Sequence, residues 1–271
     1  MENAQNFDPS NLLSSFEKSR GYNNSDRYRM MEIMKELESR DKFGGLNKWF
    51  VPGTPFSIDR LPKHRAFFEA GAHYDERFFC AGNRLGKTTS GAYEMACHLT
   101  GRYPSWWQGR VFDGPIDAWA CGKTGKVTRD TVQKELLGEQ ERGTGMIPRD
   151  ALSKVWAKPG TPRGVDTLEV KHVSGGISRL TFKSYEEGVQ SFYGTSRSCI
   201  WLDEESDEYI YSECYLRTAT TDGIIYTTFT PKHGITPFVL SFFTDPSAEY
   251  LAGSPRIIFT EAELERNTQD G

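Results

Sequence analysis

The sequence predicts an α/β fold in which helices flank a mostly parallel sheet, with a helical N-terminal arm ahead of it. Three observations carry this. Apolar strand patterns alternate with helical ones, one strand runs through a tight loop into Gly-Lys-Thr at a helix start, and a later apolar strand ends in a run of acids. The chain has 271 residues, 37% hydrophobic and 26% charged, the balance of a globular protein with ample chain for a core. It shows no uninterrupted apolar stretch of about 18 residues that could span a membrane. Met1 to Gly21 lack the basic and apolar segments of a secretory signal, so the expectation is a soluble protein of the cell interior.

Taken in order, residues 1–58 form the arm, with one helix over Asp26–Glu38 rich in Met, Glu, Lys and Arg. Pro52, Gly53, Thr54 and Pro55 then punctuate the chain and set a boundary before a core over 59–250. Residues 251–271 close that domain or lead out of it. Predicted strands are Arg77–Ala81, Pro115–Cys121, a hairpin of Leu168–Val173 and Ile177–Lys183, Ser198–Leu202, Gly223–Thr228 and Arg256–Thr260. Ser174, Gly175 and Gly176 supply the hairpin turn. The stretch from Gly138 to Asp166, dense in Gly, Pro, Lys and Arg, reads as a surface excursion.

The five cysteines, Cys80, Cys97, Cys121, Cys199 and Cys214, have neither C-x-x-C pairing nor zinc-ligand spacing. Cys80, Cys121 and Cys199 sit in apolar runs and read as small buried hydrophobes. A formal net charge of -4 argues against holding nucleic acid by bulk electrostatics, so any DNA contact is local or transient.

The strongest chemical signal is Arg77–Ala81 followed by Gly82-Asn83-Arg84-Leu85-Gly86-Lys87-Thr88-Thr89 and a helix over Ser90–Thr100. A polyphosphate needs backbone N–H groups converging at a helix N-terminus, a lysine for the β and γ phosphates, and a hydroxyl for Mg²⁺. Gly86, Lys87 and Thr88 supply these, and the loop is a variant Walker A because Ala81 stands where the consensus has glycine. A second triplet, Gly122-Lys123-Thr124, also follows a strand and precedes a helix over Thr128–Leu137, but no loop is left there to wrap a phosphate. It reads as a solvated turn.

The second half of such a site is Cys199-Ile200-Trp201-Leu202-Asp203-Glu204-Glu205. Asp203 is the metal carboxylate, and Glu204 lies where a general base polarises the attacking water. Thr228 and Thr230, at the end of the strand from Gly223, are candidates for sensing the γ phosphate. Their β-propensity explains them equally well.

These residues resemble the terminase large subunits of tailed double-stranded DNA phages, from about Leu61 to Pro231. The resemblance rests on Phe67-Phe68-Glu69-Ala70-Gly71, Ala81–Thr88, His98-Leu99-Thr100-Gly101-Arg102-Tyr103-Pro104, Trp201–Glu205 and Thr228-Phe229-Thr230-Pro231. It implies an ASCE-type, RecA-like P-loop ATPase using ATP and Mg²⁺. Such a motor works in the host cytoplasm as a ring, a pentamer by that resemblance, at the portal protein of the procapsid. It drives double-stranded DNA inside with a small terminase subunit and touches no membrane. The resemblance makes Glu204 the catalytic carboxylate and gives Arg84 a γ-phosphate role in cis. It makes Thr227–Pro231 the motif that couples hydrolysis to movement.

Two departures stand out. His64 occupies the place where many relatives have an adenine-reading glutamine, and full members continue into a nuclease, so this chain is expected to cut no DNA. Two other readings stay open. A helicase-type ATPase needs a second RecA-like domain, for which the remaining chain is too short, and a non-hydrolysing assembly module would bind ATP without turnover. Arg102 and Arg197 are possible donors of an arginine to a neighbouring subunit.

Overall fold

A computed structural model describes residues 28–29, 31–33, 44–54, 56–231 and 236–240, together with the backbone of 241–244 and 256–259. Of the expected arm helix, residues 28–29 and 31–33 are helical, and the rest of that span lies outside the described residues. Met1–Phe43 and Gly44–Gly271 are separate units. The unit that carries the sheet begins at Gly44. The physical reason is apolar burial: Leu46, Phe50 and Ile58 belong to the core. Phe50 packs edge-on against Phe68, Tyr93 and Trp106.

In chain order the elements are α1 (Pro62–Ala70), β1 (Glu76–Cys80), α2 (Lys87–Thr100) and β2 (Asp117–Gly122). Next comes α3, which runs from Gly125–Val127 through a π-helical Thr128–Gln133 into Lys134–Leu137. Then follow β3 (Leu152–Ala157), β4 (Val165–Lys171), β5 (Ile177–Ser184), β6 (Cys199–Asp203), α4 (Glu208–Thr218), β7 (Ile224–Phe229), α5 (Pro237–Thr244) and β8 (Arg256–Phe259). The eight strands form one sheet in the order β3-β4-β5-β2-β6-β7-β1-β8. All pairs from β5 through β8 are parallel, and β3–β4 and β4–β5 are antiparallel.

β1, β6 and β7 are buried along their whole length, as expected of parallel strands covered on both faces. Alternate side chains feed two cores. Phe79, Trp201 and Tyr226 face α1 and α2, while Phe78, Ile200, Leu202 and Ile225 face α4. All five cysteines are buried and free, in keeping with the reading of Cys80, Cys121 and Cys199 as core hydrophobes.

The predicted hairpin is present as β4 and β5. β3 is the strand that the sequence reading missed, placed inside the expected excursion from Gly138 to Asp166. Its side chains are exposed or half-buried throughout, because it is the edge strand, so no apolar alternation marks it.

Two contacts fix α2 on the sheet. A Cβ at Gly91 would fall 2.5 Å from the Trp201 indole, and the Gly91 carbonyl accepts from the Tyr226 hydroxyl at 2.9 Å. Beneath them, Arg77 of β1 and Glu94 of α2 form an ion pair at 2.5 Å with both side chains 0% exposed. Glu94 also accepts from His98 at 3.2 Å, and Tyr103 closes the chain on the other ring nitrogen at 3.0 Å. Burial alone would raise the Glu94 carboxyl, but Arg77 and His98 beside it hold it below the ordinary range.

Candidate active site

In an open parallel sheet, ligands bind beyond the carboxyl ends of the strands. Here the tips of β1, β7 and β6 lie side by side, and the register sets Thr228 beside both Phe79 and Asp203. β7 thus separates the strand that leads into the phosphate loop from the strand that ends in acids.

The loop after β1 spans Ala81–Gly86. Ala81 still pairs with β7, its N–H donating to the Phe229 carbonyl at 3.3 Å, and it is not left-handed. No glycine is needed there, which accounts for the departure from the Walker A consensus. The turn itself comes from Arg84 and Gly86, both left-handed with φ of 64° and 76°. Gly86 caps α2 without a side-chain hydrogen bond, so the first N–H groups of the helix face the loop. Lys87 is buried and curls back to donate to the Gly82 carbonyl at 2.5 Å.

Asp203 stands at the centre. Its Oδ1 accepts from Thr88 at 3.0 Å and from Thr228 at 2.9 Å, and Thr228 in turn accepts from the Trp201 indole N–H at 2.8 Å. Burial drives the Asp203 carboxyl up to about 7, against the two hydroxyls that favour its anion; Glu204 adds to the rise and Lys87 opposes it. A buried carboxylate beside a hydroxyl is a hard-oxygen donor pair that suits Mg²⁺, a cation usually held by one or two carboxylates plus substrate phosphates. Thr88 and Asp203 are the residues that would hold it. Thr228, expected to sense a phosphate, has its hydroxyl engaged on Asp203.

Glu204 is left-handed, with φ of 68°, a conformation that costs a non-glycine residue on the order of 1–3 kcal/mol. Two backbone contacts hold it there. Its N–H donates to the Thr228 carbonyl at 2.8 Å, and its carbonyl accepts from the Tyr185 phenol at 2.9 Å. The same phenol reaches the Asp203 carbonyl at 3.1 Å. Glu204 Oε2 meets the Thr230 N–H at 3.5 Å, and the Thr230 hydroxyl reaches Asn83 Oδ1 at 3.3 Å, so the tip of β7 bridges the acid and the phosphate loop.

Tyr185 and Trp201 were not legible as site residues. Tyr185 follows β5, at the same edge of the sheet, and only that position in the topology signals it. Tyr185→Phe is expected to lower the maximal turnover about five- to tenfold, the equivalent of one hydrogen bond, with nucleotide affinity unchanged. Steady-state turnover alongside equilibrium binding checks this.

The remaining expectations are placed as follows. Arg84 and Leu85 are exposed at the rim of a pocket of about 580 Å³, which Trp49, Phe56 and Leu61 line on the apolar side. Thr89 also lines it and reaches Glu135 at 3.5 Å. His64 donates through Nε2 to the Leu85 carbonyl at 2.8 Å. In the second triplet, Gly122 ends β2 and Thr124 caps α3 by accepting from the Val127 N–H, so that turn is closed by its own side chain. Arg102 pairs with Asp150, and Arg197 lies over the Trp119 ring. Both sit at the end of the sheet away from their own phosphate loop.

The family model for the N-terminal part of T4-like-virus-type terminase large subunits matches residues 78–271. This chain belongs to the terminase large subunit family. The large terminase subunit of Salmonella phage P22 is 35% identical over 238 residues, covering 80% of this chain and 46% of that protein. The terminase chain thus spans about half the length of the curated relative it matches. Among solved structures, a variant of the large-terminase ATPase domain of Thermus phage P74-26 superposes with a TM-score of 0.50 at 15% identity, over 73% of this chain and 82% of that one. The unaltered domain gives 0.48 at 16%, over 73% and 81%. The terminase fold here is that of a P-loop NTPase, with Lys87 opening α2 after the loop from β1 and Asp203 ending β6.

Proposed function

We propose that this chain is the ATP-hydrolysing motor domain of a DNA-packaging terminase. The observation that supports it most directly is the convergence of Thr88 and Thr228 on one oxygen of Asp203, with Glu204 held next to it in a left-handed turn. In this reading the N–H groups opening α2 and the Lys87 ammonium bind the β and γ phosphates, and Arg84 approaches the γ phosphate from the rim. Thr88 and Asp203 would hold Mg²⁺, which when bound would supply positive charge near the phosphate oxygens. Glu204 accepts a proton from the attacking water while the bond from the γ phosphorus to the bridging oxygen breaks, giving ADP and phosphate.

The family points to double-stranded DNA as the translocated substrate. It also points to a small terminase subunit and the procapsid portal as partners, and to a ring, a pentamer, assembled in the host cytoplasm. No helix among the described residues is long and apolar enough to cross a membrane. The test is ATP turnover with Mg²⁺ at rising protein concentration, with and without double-stranded DNA. Turnover that rises faster than linearly with protein and further with DNA is the expected result. Tight ATP binding without turnover at any concentration would favour the assembly module, and activation by single-stranded DNA alone would favour the helicase reading.

A further inference from the structure

The resemblance drawn from the sequence places His64 where it would meet the adenine, and its geometry points elsewhere. His64 is the third residue of α1, which starts at Pro62. Its ring packs edge-on to Phe79 of β1 at 5.2 Å and tilted to Phe50 at 5.9 Å, so it rests on the core and not on a mobile loop. From there Nε2 donates to the Leu85 carbonyl at 2.8 Å. Leu85 lies between the two left-handed residues, Arg84 and Gly86, that turn the loop toward α2. A non-glycine residue in the left-handed region, as Arg84 is, persists only where its surroundings hold it, and here a side chain grips the carbonyl of the next residue. His64 also approaches Gly86 closely, 3.3 Å from where a Cβ would stand.

We propose that His64 is a positioning residue for the phosphate loop, not a reader of the base. It fixes the Leu85 carbonyl, and through it the N–H groups that face the phosphates. This rests on the reading of the loop as a nucleoside triphosphate site. Burial lowers the imidazole pKa, so the ring is neutral at physiological pH and the donor nitrogen is settled by the Leu85 contact. The neighbouring pocket, walled by Trp49, Phe56 and Leu61, receives the base by shape and apolar contact.

His64→Phe tests this, because phenylalanine keeps the ring between Phe50 and Phe79 and removes the N–H; His64→Gln is the companion that can restore a donor. Binding of ATP, GTP and inorganic tripolyphosphate is measured with Mg²⁺ by calorimetry. The expected result for His64→Phe is an equal loss, about tenfold, for all three ligands, since tripolyphosphate has no base to read. The ratio of ATP to GTP affinity stays at the wild-type value, and His64→Gln recovers tripolyphosphate binding. A loss confined to ATP, with GTP and tripolyphosphate unchanged, overturns the proposal in favour of base reading. No change for any ligand overturns it as well. Failure of the wild type itself to bind any of the three would instead reject the nucleotide site on which the proposal rests.

Discussion

Glu204→Gln is expected to lower ATP turnover by about 10²–10⁴-fold while ATP remains bound. The substitution is nearly isosteric, and the contacts that hold the residue are made by its backbone, to Thr228 and Tyr185. The left-handed turn therefore survives in the variant. The side-chain contact to the Thr230 N–H also needs only an acceptor oxygen, which the amide retains. What is lost is the ability to take a proton from water. Single-turnover hydrolysis with a parallel binding measurement separates the two effects, and turnover at the wild-type rate would remove Glu204 from the role of base.

Asp203→Asn should have two opposite effects. Folding raises the Asp203 carboxyl from 3.8 to about 7, chiefly by burial. The folded chain then keeps a proton that the unfolded chain releases, so this group's contribution to stability is complete below pH about 4 and is lost as pH rises toward about 7. Asparagine cannot ionise and keeps an oxygen to accept from Thr88 and Thr228. The nucleotide-free variant is therefore expected to be more stable than wild type at pH 8, by on the order of 2–4 kcal/mol, and no more stable at pH 3.5. Its Mg²⁺-dependent turnover falls about a hundredfold or more, since the anionic ligand to the cation is gone. Urea unfolding at the two pH values checks the first effect; equal stability gains at both would show that burial is not what perturbs Asp203.

Much of this was legible in the chain because the chemistry is local. The loop from Ala81 to Thr88 and the strand ending at Asp203 each occupy one continuous stretch, and strands buried on both faces announce themselves as apolar runs. What escaped was set by tertiary geometry. β3 has no apolar pattern because it lies at the edge. Residues 44–58 read as arm because only a few of them, Leu46, Phe50 and Ile58 among them, carry the burial. Thr228 sits where the sequence placed it, but its hydroxyl direction follows from the register of β6 and β7, which brings it to Asp203. Tyr185 lies 18 residues from Asp203 in sequence, and only the sheet order brings its phenol over that turn.

The ion pair between Arg77 and Glu94 also determines where this molecule can yield. Pulling β1 from α2 would strand two charges in a dry interior, a rupture that costs several kcal/mol, so strand, loop base and helix behave as one stiff block. Beyond the ends of β6 and β7, Thr230 makes longer contacts, at 3.3 Å to Asn83 of the loop and 3.5 Å to Glu204. The two Thr230 contacts are therefore expected to give before the Arg77–Glu94 pair does when the loop shifts.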